Sequence, residues 1–148
     1  MAFRFPLQSV LRLRRSVERQ EEQRLFAIAA IVARLRAQQE QLEREQLAAR
    51  RAASAEMQDG VSGAVVQFAA VCEQAARETQ VQLRTQLAEA EQRRLEQLAV
   101  YIRARQTREV FESIRERQEA SYAHELARRD QARSDDQFLS RFRVSPDG

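Results

Sequence analysis

Apolar residues recur along this chain at three- and four-residue intervals, the period of an α-helix with one buried stripe. The first stripe runs Leu7, Val10, Leu13 or Arg14, and Val17; a cleaner one follows at Leu25, Ile28, Val32, Leu35, Gln39 and Leu42. The stretch 18–24 between them is polar. Stepping from one stripe to the other takes eight residues rather than seven, which predicts a local unwinding of a coiled coil. Past Leu47 the stripe gives way to Ala48, Ala49, Ala52, Ala53 and Ala55, small enough to let two helices approach closely. A further series opens with Val65, Phe68, Cys72 and Ala75. It continues through Leu83, Leu87, Leu95, Leu98 and Ile102, then Val110, Ile114, Tyr122 and Leu126. Its spacing drifts between seven- and eleven-residue repeats, predicting a weakly supercoiled or nearly straight pair. No run alternates as a half-buried strand does.

The helix breakers are concentrated in one place. Gly60 and Gly63 lie three residues apart, whereas Pro6, Pro146 and Gly148 sit near the ends. Glycine reaches positive φ without steric cost, so Gly60 suits the position just past a helix C-terminus. Ser62, or with less support Asp59, can cap the next helix. The expected fold is all-α: an antiparallel two-helix coiled-coil hairpin forming a single domain. Helix 1 is expected over about 6–57, the turn at 58–63, helix 2 over about 64–141 and a tail at 142–148. Pro6 fits a first helical turn. At about 1.5 Å per residue the helices would run roughly 75 and 115 Å, so the segment from about Glu119 to Phe142 projects past its partner. Ser134-Asp135-Asp136-Gln137 resembles a capping box, but continuity of the second helix through it is the expectation.

Composition supports this reading. Aromatic residues make up 6%, charged residues 32%, and Trp is absent, as in long helices rather than layered globules. A hydrophobic content of 43% at helical spacing argues against a disordered chain. All 25 basic residues are Arg, which codon bias explains without special chemistry. The net charge of +3 is small, but the first fifteen residues carry Arg4, Arg12, Arg14 and Arg15 without an acid. One cysteine excludes an intrachain disulfide. The nine-residue apolar run Leu25–Ala33 is far short of the roughly 20 residues of a membrane span, so a cytoplasmic location is expected. A two-helix hairpin buries one narrow stripe per helix and is expected to be marginal alone, gaining stability from a partner.

No catalytic constellation emerges, and neither an enzyme nor a small-molecule substrate, cofactor or metal is expected. A P-loop requires a Lys that the chain lacks, and the one histidine, His124, has neither a triad nor a zinc set around it. Cys72, on the series of Phe68 and Ala75, reads as a buried, inert thiol. Carboxylate–arginine pairs such as Glu40–Arg44 and Glu89–Arg93 read as solvated faces. Nucleic-acid binding is disfavoured because interleaved glutamates break any basic face and no aromatic platform accompanies the arginines. Phe26, Ile31, Val71, Tyr101 and Phe111 widen the stripes beyond what two helices cover, as do Phe138, Leu139 and Phe142 between arginines. Weak self-association and partner contact are equally good readings of them. A homodimeric scaffold of unfolded-back chains and an interfacial helix over 3–15 are the remaining alternatives.

The opening Phe3-Arg-Phe5-Pro-Leu7-Gln-Ser-Val10-Leu11-Arg-Leu-Arg14 is similar to the start of FliJ-family flagellar export proteins. The segment from Arg115 through Tyr122, Glu125, Arg128 and Gln131, then Asp135-Asp136 and Phe142, resembles the same family's C-terminal part. The resemblance implies a stalk of the flagellar type III export apparatus, at the cytoplasmic face of the inner membrane. The implied partners are a hexameric export ATPase, the export-gate membrane protein and export chaperones; a virulence-type secretion stalk is a near neighbour. The ATPase pore would be met by Phe3, Arg4, Phe5, Leu7, Arg12, Arg14, Arg15, Arg128, Arg129 and Phe142. By position the gate would meet Phe68, Cys72, Ala75 and Thr79, of which Phe68 and Ala75 keep the family's apolar pattern while Cys72 and Thr79 depart from it.

Overall fold

In a computed structural model, which describes residues 2–143, the chain forms two helices, α1 (Gln8–Gln58) and α2 (Gly63–Arg143). No strand occurs among the described residues. They divide into two compact units: an end unit of Met1–Arg19 with Arg103–Gly148, and a turn unit of Gln20–Ile102.

The helix termini follow from local chemistry. Pro6 lies in a turn ahead of α1, where the Gln8 amide donates to the Phe5 carbonyl at 3.1 Å, so its missing N–H leaves no bond unmade. Gly60 ends α1 with φ 82°, and its amide reaches back to the Met57 carbonyl at 3.4 Å. The Ser62 carbonyl accepts from Val65 at 3.1 Å and Val66 at 3.4 Å, which places Ser62 at the N-cap of α2. At the far end α2 runs unbroken through Ser134, where Gln131 donates to Asp135 at 3.0 Å. Phe142 and Arg143 of the expected tail are helical, and residues 144–148 lie outside the described residues.

In the turn unit α1 and α2 pair antiparallel: Arg50 meets Glu73, Arg36 meets Glu91, and Gln97 donates to Glu21, so numbers rise on one helix as they fall on the other. Inward positions on α1 are Glu21, Leu25, Ile28, Val32, Leu35, Gln39, Leu42 and Gln46. Those on α2 are Ala69, Glu73, Ala76, Gln80, Leu83, Leu87, Ala90, Arg94, Gln97 and Tyr101. Val32, Leu35 and Ala90 form the core, with Leu83 and Leu87 packed on it. The end unit has Leu11, Arg14 and Glu18 inward on α1, with Ala104, Arg108, Phe111 and Arg115 on α2. Leu11 is fully buried there, and Phe5 is nearly so.

These positions correct four expectations. The polar stretch after Val17 does not shift the stripe by eight residues. Glu18 in one unit and Glu21 in the other occupy inward positions, satisfied by Arg108 and Gln97. On α2 the expected seam is kept at Leu83 and Leu87 but not elsewhere along the helix: Val65, Phe68, Leu95, Ile102, Val110 and Leu126 are exposed. Cys72, expected to be buried, is exposed too, because the inward series one residue over, Ala69, Glu73 and Ala76, faces α1. From Ala69 to Arg115 intervals of three and four alternate, so that stretch of α2 follows a seven-residue repeat rather than a drifting one.

Candidate partner-binding surfaces

Ion pairs and rings position the side chains of the end unit. Arg108 donates from Nε to Glu18 Oε2 at 2.7 Å and from Nη2 to Oε1 at 3.1 Å, a two-pronged pair largely withdrawn from solvent. Those hydrogen bonds hold the Glu18 carboxyl below its ordinary value of 4.5, against a smaller opposing push from burial. Glu18 in turn raises the Arg108 guanidinium. Arg15 binds Glu112 at 2.7 Å, and the Phe3 ring packs on Tyr122 with centroids 5.6 Å apart at 47°.

Of the residues expected to meet an ATPase, the structure gathers one part here and scatters another. Phe3 and Phe5 are drawn into the packing of the end unit, Arg14 is half-buried with its Nε unbonded among the described residues, and Arg15 is committed to Glu112. Arg4, Leu7 and Arg12 remain outward. Past Tyr122 every described residue of α2 is exposed, including Arg128 and Arg129. Near its tip the Phe138 and Phe142 rings meet with centroids 4.9 Å apart, tilted at 55°, and Phe142 is 69% exposed. Leu139 is exposed beside them. Phe138 and Leu139 precede Phe142 by one helical turn, and that spacing is the signal that groups the three.

In the turn unit, Phe68, Cys72, Ala75 and Thr79 share one exposed flank of α2, spaced four, three and four residues apart. Phe68 is 71% exposed and Val71 and Val65 lie beside it, so the flank is apolar toward the turn. Thr79 contributes little polarity, because its hydroxyl donates to the Ala75 carbonyl at 3.0 Å. It also lines an open groove with Leu42, Glu45 and Leu83. The carboxyls of Glu73 and Glu91 are lowered chiefly by hydrogen bonds from Arg77 and Arg94 respectively.

The described residues contain no cluster of His, Cys, Asp and Glu able to hold a metal ion. No described helix is long and apolar enough to cross a membrane. The exposed surfaces are basic and aromatic in the end unit and apolar on one flank of the turn unit. A family model described as flagellar FliJ protein matches residues 3–146. No curated protein and no solved structure matches the chain.

Proposed function

The chain belongs to the FliJ family of flagellar proteins, and from that premise we propose that it binds the pore of the hexameric export ATPase and couples it to the export gate and chaperones. It does this as a non-enzymatic stalk, peripheral at the cytoplasmic face of the inner membrane. The observation that carries the reading is the make-up of the end unit. Its sequence holds 15 arginines against 10 acidic residues, a net of +5, while the turn unit holds 10 against 12, a net of −2. The end unit also presents a stretch of α2 without a helical partner, bearing Arg128, Arg129 and Phe142. Charge of one sign raises encounter rates and fixes orientation, and exposed aromatics supply anchoring area. An asymmetric helical element in a six-fold ring meets each subunit differently, so it can bias which one hydrolyses next. The apolar flank Phe68, Cys72, Ala75 and Thr79 is the proposed gate contact.

The test is stimulation of a cognate export ATPase by purified protein. Removing residues 1–15 is expected to abolish binding and stimulation. Because that deletion also removes Leu11 and Phe5, the decisive variants are the exposed Arg128→Glu/Arg129→Glu pair and Phe142→Ala. These are expected to reduce stimulation at least about tenfold with helicity unchanged. Unchanged stimulation in all of them rejects the ATPase assignment. Phe68→Glu is expected to weaken binding to the gate's cytoplasmic part alone.

A further inference from the structure

One face of the turn unit is apolar where its neighbours along the same helices are charged. The Arg36–Glu91 ion pair identifies the flank on which α1 and α2 meet across that face. Seven residues on from each partner lie Ala29 and Leu98, both half-buried, at the equivalent place one repeat away. Outward of them stand Phe26 and Ala33 on α1, and Leu95 and Ile102 on α2, each three residues before or four after the central pair. Phe26 is 65%, Leu95 53% and Ile102 43% exposed. The result is an apolar patch centred on Ala29 and Leu98 and flanked by Phe26, Ala33, Leu95 and Ile102.

We propose that this patch is the contact between two copies of the chain, related by a two-fold axis that lies in the interface and passes over Ala29 and Leu98. The pattern of residues around that centre is complementary to itself, as a two-fold interface requires. Running α1 antiparallel against its own copy sets Phe26 over Ala33, a large side chain over a small one. It also sets Glu22 beside Arg36, opposite in charge. Along the sequence of α1 the sign reversal recurs one repeat further out, with Arg15 and Glu43 at equal distances from Ala29. On α2 the same operation sets Leu95 over Ile102, with Glu91 and Arg105 equally distant from Leu98. A patch fitted to an unrelated helix has no reason to be antisymmetric in charge about its own middle. Arg36 keeps 59% of its side chain exposed while bound to Glu91, so it can serve a second carboxylate.

Sedimentation equilibrium on the full chain over a wide concentration range tests this. A reversible monomer–dimer equilibrium is expected. Phe26→Glu or Leu95→Glu should raise its dissociation constant at least about tenfold, with helicity unchanged because both side chains are solvent-exposed. Glu22→Arg should weaken the dimer by setting two guanidinium groups together across it. With Cys72→Ser as background, Ala29→Cys should form an oxidised dimer far faster than Gln38→Cys on the opposite flank. A chain that stays monomeric at every concentration overturns the proposal. So does a dimer insensitive to Phe26→Glu, or an Ala29→Cys variant that crosslinks no faster than Gln38→Cys, and either result leaves the ATPase reading untouched.

Discussion

The inward positions of the end unit are Leu11, Arg14 and Glu18 against Arg108, Phe111 and Arg115; those at the centre of the turn unit are Val32 and Leu35 against Leu83, Leu87 and Ala90. In one, the buried Leu11 and Phe5 share the packing with inward guanidinium and carboxylate groups. In the other, aliphatic side chains meet directly and the ion pairs stay at the margin. Burial of aliphatic surface is indifferent to pH and to moderate salt. A half-buried charge pair adds strength only while both partners are ionised, and removing one partner leaves the other desolvated. The end unit is thereby made responsive to its ionic surroundings in a way that the turn unit is not.

The largest effects are expected where the two cores are cut separately. Leu11→Ala removes the fully buried side chain of the end unit and should cost about 2–5 kcal/mol there. Leu35→Ala should cost a similar amount in the turn unit. Amide hydrogen exchange distinguishes them. Leu11→Ala should strip protection from 8–18 and 104–115 first, and Leu35→Ala from 28–39 and 83–94. Simultaneous loss across both units in either variant would mean that the division into two has no energetic counterpart.

Next in size is the Glu18–Arg108 pair. Glu18→Gln should destabilise the end unit by about 1–3 kcal/mol. The sign of the pH dependence follows from the depressed carboxyl of folded Glu18. Its contribution is fully present above the ordinary glutamate value of 4.5 and is lost as pH falls through the lowered one. Urea titrations at a series of pH values from neutral into the acid range should therefore show a steeper loss of stability for the parent than for Glu18→Gln. The carboxyls of Glu73 and Glu91 are lowered in the same direction, but water screens them. Their Gln variants should barely alter the curve.

How much of this was legible in the sequence depended on whether composition or partnership decided the outcome. The reversal was legible, because Gly60 and Gly63 alone interrupt the central helix-forming run. The stripe Leu25, Ile28, Val32, Leu35 and Leu42 was legible too, since large apolar residues hold the inward positions there. On α2 two stripes run one residue apart: Phe68, Cys72, Ala75 and Thr79, and beside them Ala69, Glu73, Ala76 and Gln80. Hydrophobicity favours the first, yet the second faces α1. Small and long polar side chains allow close approach and carry Glu73 to Arg50, a choice that depends on the opposite helix and not on α2 itself. The same misassignment hid Leu95 and Ile102 as surface residues. Among the candidate partner contacts, exposure of Arg128 and Phe142 followed from the unequal helix lengths. The withdrawal of Arg15 onto Glu112 did not, because it needs the pairing register.

Smaller effects than those of Glu18 are expected at the two glycines of the reversal, where equal substitutions should act in opposite directions. A Cβ at either Gly60 or Gly63 meets nothing within 4 Å, so packing cannot distinguish them and backbone conformation must. Gly60 has φ 82°, a region that costs an L-residue about 1–2 kcal/mol. Gly63 is the first residue of α2, where alanine adopts the required backbone readily and restricts the unfolded chain. Gly60→Ala should therefore destabilise by about 1 kcal/mol, and Gly63→Ala should stabilise by about 0.4–1 kcal/mol. Both shifts should appear in urea midpoints and in exchange rates near residues 50–70, while the pH response set by Glu18 stays as it was. Equal signs for the two variants would mean that Gly60 does not hold its positive φ in solution. The reversal would then be made by some other residue between Gln58 and Gly63.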